Sequence, residues 1–356
     1  MPKIYYIANV RMPTERAHGI QIAKMCEAFM DQGIDVELIV PRRKTSSESV
    51  RSFYGLRMQI CVTTLPVIDW YTKGRFGFFV GSSSFMISYF FYLWYKKISR
   101  QPGILYTIDI DQFSFLLVPF LGAPYFAEIH DAKKRSIAFS ILFRYARGII
   151  AINRRIQETL IKEFRISPGR IVVYPNGVDV KKFDAPLSDV RSTLGLPTGK
   201  FIAMYVGKLY DWKHTEIIAD AAQKAGDILF CIVGGTAEEF KKITGKDTLP
   251  KNLMCVGQKA YSEISLWMHA ADVLILLGTK KSDYSYFHTS PMKLFEYMAA
   301  GKPIVAARTP ANSEIVTEEE VIFYAPDNAK DFMEKIQYAC AAPLDVLHQK
   351  TRQAGL

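Results

Sequence analysis

Phe201-Ile202-Ala203-Met204-Tyr205-Val206-Gly207-Lys208-Leu209-Tyr210-Asp211-Trp212-Lys213-His214 is the stretch that decides the fold. Phe201 to Val206 reads as a strand, Gly207 permits close backbone approach at its end, and a helix is expected from about Lys213 to Ala225. Further strands are expected at Ile228 to Val233, near Leu253 to Val256, and at Val273 to Leu276, Pro303 to Ala306 and Val321 to Tyr324. Strands separated by helix-length stretches make a parallel sheet covered on both faces.

The same alternation runs through the preceding half. Lys3 to Ala8 reads as a strand; Ile22, Met25, Cys26, Phe29 and Met30 then recur at helical spacing until Gly33, and Ile34 to Val40 is the next strand. Strand-like runs return at Ile104 to Thr107, Tyr125 to Ile129, Gly148 to Ile152 and Arg170 to Tyr174. Pro175-Asn176-Gly177 and the polar stretch with Pro186 and Pro197 mark the interdomain connection. The expectation is α/β: two Rossmann-like domains, 1–178 and 179–356, facing a central cleft at the carboxyl ends of both sheets.

A length of 356 residues accommodates two cores, and 49% hydrophobic with 22% charged residues excludes a disordered chain. Lys plus Arg number 45 against 35 Asp plus Glu, a net charge of +10 that favours an anionic partner. No helix-turn-helix, zinc-finger or aromatic-basic ribonucleoprotein pattern supports nucleic acid; a phosphorylated donor and an anionic membrane surface fit better. Cys26, Cys61, Cys231, Cys255 and Cys340 are dispersed and odd in number, as expected of reduced cytosolic thiols. Met1 to Val10 enters a strand pattern directly, so secretion is not expected. Phe76 to Tyr95 is free of charge and long enough to span a bilayer. Its three serines, aromatic character and basic residues at both ends favour a buried or membrane-resting helix instead. The location expected is cytoplasmic and peripheral to the plasma membrane.

The chemistry concentrates in Ser290-Pro291-Met292-Lys293-Leu294-Phe295-Glu296-Tyr297-Met298-Ala299-Ala300-Gly301-Lys302-Pro303. Ser290 suits an N-cap, Pro291 the first helical position and Gly301 the end. Leu294, Phe295 and Met298 would form the packing side, leaving Lys293 and Glu296 on another face. A cation in the first turn opposes the helix dipole, which makes sense if an anion lies there. The helix N–H groups and Lys293 would form a phosphate site and Glu296 would accept from ribose hydroxyls; the spacing equally suits a surface ion pair. Lys208 and Lys213 could converge on a diphosphate, or be two solvated lysines in a loop.

Together these stretches resemble the GT-B glycosyltransferases of family 4, the group that includes bacterial lipopolysaccharide and capsule glycosyltransferases. In that family a Gly-Arg or Gly-Lys opens the second domain and a Lys follows five residues later, as Lys213 follows Lys208. The resemblance implies that Lys208 and Lys213 act on the donor diphosphate and that Glu296, with Ser290, Lys293 and Leu294 nearby, serves the donor nucleotide. Asn176-Gly177-Val178-Asp179 resembles the family hinge, Val233-Gly234-Gly235 the strand end beside the nucleotide, and Val256-Gly257 the turn near the base. Gly19 falls where the family has a loop close to the donor or acceptor, and His130, in Glu128-Ile129-His130-Asp131, resembles the active-site His.

Two features depart from the family. Eight positions before Glu296, where the family carries a first Glu near the donor sugar, stands His288. The aromatic-containing C-terminal helix that crosses back to the first domain is not evident, although Leu347 to Leu356 looks helical. A further motif, Asp109-Ile110-Asp111, matches the D-x-D pair of metal-dependent transferases; the lysines supply an alternative to a metal, and a turn opening a helix is the favoured reading.

The resemblance implies retaining transfer from a UDP- or GDP-sugar to a sugar or lipid-linked acceptor in cell-surface polysaccharide or glycolipid synthesis, without metal or other cofactor. Aromatic and basic surface in the N-terminal half suits a membrane-proximal acceptor. Competing readings are a nucleotide-sugar epimerase of the same fold, which would consume the donor alone, and a sugar-nucleotide-binding protein that does not turn over. A dinucleotide-dependent oxidoreductase is disfavoured because no G-x-G-x-x-G follows the opening strand.

Overall fold

Seven strands, β1 (Lys3–Ile7), β2 (Asp35–Pro41), β3 (Cys61–Leu65), β4 (Ile104–Ile108), β5 (Tyr125–Ile129), β6 (Gly148–Ala151) and β7 (Ile171–Val173), pair in the order β3-β2-β1-β4-β5-β6-β7. Six more, β8 (Phe201–Val206), β9 (Ile228–Val233), β10 (Leu253–Cys255), β11 (Val273–Leu276), β12 (Ile304–Ala307) and β13 (Ile322–Tyr324), pair in the order β10-β9-β8-β11-β12-β13. All neighbours are parallel. The computed structural model describes residues 2–71, 73–109, 111–183, 189–288 and 291–343; Ser290 and the stretch Leu347 to Leu356 therefore lie outside the described residues, as does the side chain of His288. The chain divides into two compact units, Met1–Pro175 and Asn176–Leu356, where the sequence reading put the boundary at 178/179.

In the first unit the alternation of side chains along β1 sorts residues to two cores. Tyr5 and Ile7 pack with Phe85, Tyr89 and Leu93 of the helix Gly74–Ile98, whereas Ile4 and Tyr6 pack with Ile22 and Cys26 of the helix Ala17–Asp31. The second unit repeats the scheme: Ala203 and Tyr205 face the helix Glu216–Lys224, and Ile202, Met204 and Val206 face Leu294 and Tyr297 of the helix Met292–Ala299. The order of strand addition reverses beside β1 in one sheet and beside β8 in the other, and ligands of parallel sheets gather at the carboxyl ends of strands flanking such a point.

β3 was not expected from the sequence. Its Cys-Val-Thr-Thr-Leu is partly exposed at the sheet edge, so it lacks the apolar run that marks a strand buried on both faces. The helix expected from Lys213 begins later, at Glu216, after a 3-10 turn over Asp211–Lys213; the left-handed φ of 56° at His214 interrupts it.

The charge-free segment is one helix, Gly74–Ile98. Gly77, Gly81, Phe85, Tyr89 and Leu93 recur every fourth residue as its buried stripe. Two of its serines are structural partners, Ser82 Oγ for Asn9 Nδ2 at 3.1 Å and Ser84 Oγ for the Ile68 N–H at 3.0 Å. The opposite side stays open, with Phe91, Trp94, Tyr95 and Ile98 exposed by 61, 52, 63 and 60%. The helix is long and apolar enough to cross a membrane, and its packed stripe makes it part of the first unit's core.

Candidate functional site

In the second unit the site forms where β8 and β9 end. Gly207 continues β8, its N–H bonded to the Val233 carbonyl at 2.7 Å. A Cβ on Gly207 would stand 2.3 Å from Lys293 Cε, so only glycine lets the Lys293 stem lie across this backbone. Gly234, at φ +124°, is equally confined: its Cβ would meet the Gly207 carbonyl oxygen at 2.4 Å. Gly234 donates to the Gly257 carbonyl at 2.9 Å and Gly257 to the Gly235 carbonyl at 3.0 Å, which joins the glycine stretches read separately in the sequence.

Lys213 and Lys293 are brought together here. Burial, and then the neighbouring Lys293 charge, push the Lys213 ammonium down to about 7. Neither lysine makes an ion pair among the described residues. Lys213 Nζ lies 5.1 Å from the Trp212 ring and 6.0 Å from that of Tyr210. Lys208 is exposed, with Nζ 5.9 Å from the same Tyr210 ring.

The helix Met292–Ala299 differs from the sequence reading in three respects. Pro291 is its N-cap rather than its first residue, because its ψ of 104° is extended. Tyr297, not Phe295, completes the buried side with Leu294 and Met298, since the Tyr297 hydroxyl reaches the Val206 N–H at 3.0 Å and so ties the helix to β8. Glu296 is buried rather than surface-paired with Lys293. Burial raises its carboxyl, against the pull of Lys293, a hydrogen bond from Tyr261 and the charge of Lys182. Lys182 Nζ in turn sits 4.6 Å from the Tyr261 ring. Neither Tyr261 nor Lys182 carried a sequence signal, for they reach Glu296 only through the fold.

In the first unit, Gly19 occupies the first turn of the helix Ala17–Asp31 rather than a loop. Its Cβ would stand 2.3 Å from the Tyr54 hydroxyl and 2.5 Å from Thr14 Cγ2, a packing reason for glycine. His130 follows β5, with Nε2 2.6 Å from Oε1 of buried Glu128. Gln21 Nε2 donates to that same oxygen at 2.8 Å, and the Tyr106 hydroxyl donates to Oε2 at 2.5 Å. An Nε2–H imidazole donates to Glu128 and leaves Nδ1 as the lone pair that can take a proton. His18, overlooked in the sequence, joins this cluster: burial first and Arg16 next lower its pKa, Asp109 raises it and His130 lowers it.

The D-x-D residues are used otherwise. Asp111 Oδ1 caps the helix Gln112–Phe115, accepting from Phe113 N and Ser114 N at 2.8 Å each. Asp109, at φ 44°, pairs with Lys133 Nζ at 2.8 Å. Asp111 therefore opens a helix, in line with the favoured reading of its place in the motif.

The chain matches two family models: Glycosyltransferase Family 4 over residues 19–182 and Glycosyl transferases group 1 over residues 188–355. It is 28% identical over 183 residues to the UDP-Gal:alpha-D-GlcNAc-diphosphoundecaprenol alpha-1,3-galactosyltransferase of Escherichia coli, covering 48% of this chain and 45% of that protein. It is also 28% identical over 198 residues to the lipopolysaccharide core biosynthesis mannosyltransferase LpsB of Rhizobium meliloti, covering 50% and 51%. The chain thus spans about half the length of the curated relatives it matches. Among solved structures, HepE of Anabaena in complex with UDP superposes with a TM-score of 0.71 at 17% identity, covering 99% of this chain and 93% of that one. Sucrose-phosphate synthase of Thermosynechococcus elongatus gives 0.74 at 16%, covering 99% and 93%. With two parallel sheets, the glycine-lysine strand end and both models matched, the chain belongs to the family 4 glycosyltransferases of GT-B fold.

Proposed function

We propose that the protein is a retaining glycosyltransferase that takes a sugar from a nucleotide diphosphate donor, a UDP- or GDP-sugar, to an acceptor hydroxyl in cell-surface polysaccharide or glycolipid synthesis. The observation that carries the reading is the closeness of Lys213 to Lys293, whose stem lies across Gly207, with no ion pair to either among the described residues. Two cations drawn together in a partly dry site oppose one another, and a diphosphate between them removes the opposition. In this reading Lys213, Lys293 and Lys208 take the negative charge that grows on the leaving diphosphate, Gly234 admits it close to the backbone, and Glu296 accepts from ribose hydroxyls. His130, held by Glu128 and Gln21, is assigned to the acceptor side as a group that binds or relays a proton. The lysines make a metal unnecessary for charge neutralisation, and the helix-capping duty of Asp111 agrees with that.

HepE in complex with UDP and the galactosyltransferase named for UDP-Gal support the class of donor. The test is calorimetric titration with UDP and GDP in excess chelator, followed by incubation with the corresponding sugar nucleotides with and without lipid-linked acceptor. Binding and acceptor-dependent release of the nucleoside diphosphate are expected. Donor consumption without acceptor would move the protein to the epimerase reading, and binding without turnover to an inactive one.

The exposed side of the helix Gly74–Ile98 supports a second element, peripheral attachment to an anionic bilayer. Phe91, Trp94, Tyr95 and Ile98 lie at i, i+3, i+4 and i+7, and Lys73, Arg75 and Arg100 stand near the helix ends. The +10 charge adds long-range attraction to such a surface.

A further inference from the structure

Beside the lysines of the second unit, two loops more than seventy residues apart bring three aromatic rings together. Tyr210 and Trp212, from the loop after β8, stack with centroids 5.2 Å apart and planes 24° from parallel. Tyr284, from the π-helical turn Tyr284–His288 that follows β11, closes on Trp212 edge-on at 5.4 Å and 81°. Tyr210 and Tyr284 are 38 and 49% exposed, so the rings form an open apolar corner rather than a piece of core.

The contacts around this corner run in sequence. Tyr261 bonds Glu296; Glu296 feels the charge of Lys293; Lys293 faces Lys213; Lys213 lies against Trp212; Trp212 meets Tyr284. A nucleotide diphosphate sugar has the same linear order: ribose, two phosphates, then sugar. If ribose lies at Glu296 and the phosphates at the lysines, the third portion of the molecule meets the aromatic corner.

We propose that Tyr210, Trp212 and Tyr284 form the subsite for the sugar being transferred, holding the C–H face of a pyranose ring by stacking. This rests on the donor reading above. A pyranose has an apolar face of ring C–H bonds and a rim of hydroxyls, and an aromatic corner complements the first without a charged partner. The corner selects for a ring with one unobstructed face, so an axial substituent on that face lowers affinity.

The experiment compares UDP and GDP with UDP-glucose, UDP-galactose and GDP-mannose by calorimetry, using wild type, Trp212→Ala, Tyr284→Ala and Trp212→Phe. Each alanine variant is expected to bind the nucleoside diphosphate within about twofold of wild type while losing about three- to tenfold in affinity for the matching sugar nucleotide. Trp212→Phe, which keeps a ring, should recover most of the loss. Exposed Tyr284 tests the idea even if removal of Trp212 disturbs the loop. Equal losses for nucleotide and sugar nucleotide would mean that the rings serve the base or the fold, and the subsite assignment falls while the donor reading stands. Unchanged sugar-nucleotide affinity in both alanine variants overturns it too. If wild type binds no nucleoside diphosphate at all, the donor reading fails and this inference fails with it.

Discussion

Binding of a nucleoside diphosphate should draw a proton onto Lys213. Burial, reinforced by the Lys293 charge, holds this ammonium down to about 7, so at about pH 8 some nine-tenths of the free protein carries a neutral Lys213. A diphosphate beside it favours the charged form and returns it toward the ordinary lysine value, so the complex gains about 0.9 proton at that pH. Affinity must then fall as pH rises, by about fiftyfold between pH 7 and 9 if the bound pKa reaches the ordinary value. The sign for stability follows the same linkage: between about 7 and 10.5 the unfolded chain holds a proton that the folded chain has lost, so this group makes the free protein more stable as pH rises through that window. Titration of UDP or GDP in two buffers of different ionisation enthalpy at about pH 8 counts the protons directly. Lys213→Met should abolish the uptake, and Lys293→Met should shrink it without removing it, because burial is the larger cause. Zero proton uptake together with a flat affinity from pH 7 to 9 would refute the pairing of these lysines around the ligand.

Gly207→Ala should keep the fold with a modest loss of stability, since its Cβ overlaps chiefly the movable end of Lys293 and stands 3.0 Å from the buried Tyr205 hydroxyl, yet weaken nucleotide binding about tenfold by displacing the Lys293 ammonium; thermal melts and titration of the variant separate the two effects. Lys213→Ala should lower turnover most, whereas Glu296→Ala should raise the Michaelis constant for donor by about 10- to 100-fold with a smaller effect on turnover, because ribose contacts change little as the bond breaks. Steady-state kinetics at saturating acceptor decides, and wild-type behaviour in both would remove the donor-site assignment. Activity should persist in excess EDTA; loss that manganese restores would transfer the diphosphate to a metal. Replacing Phe91, Trp94 and Tyr95 together by serine should leave the fold intact and reduce sedimentation with anionic vesicles by at least about tenfold, as these rings face away from the core.

Much of the architecture was legible because strands buried on both faces carry long apolar runs that need no partner to be recognised. β5, β8, β9 and β11 begin and end at the residues read from the sequence, and the other expected strands differ by one residue at one or both ends, because the ladder stops or starts where pairing with the neighbouring strand does and not where the apolar run does. β3 escaped because an edge strand gains its order from one neighbour, β2, and not from its own composition. The start of the helix after β8 escaped because the left-handed turn at His214 depends on where Lys213 and Asp327 lie, His214 Nδ1 meeting Asp327 Oδ1 at 2.9 Å across more than a hundred residues.

By itself the sequence determined two α/β units, the break near Pro175, the glycine-lysine strand end and the segment Lys293 to Glu296 as the place of chemistry, since periodicity and local turn chemistry act over a few residues. Only the tertiary structure decided what those residues meet. Glu296 went into the interior beside Tyr261, Lys293 across Gly207 toward Lys213, Asp111 to a helix cap, and Tyr284 to Trp212. Each of these contacts except the cap joins residues far apart in the chain, and such neighbours are set by how helices pack on a sheet, which no local window of sequence contains.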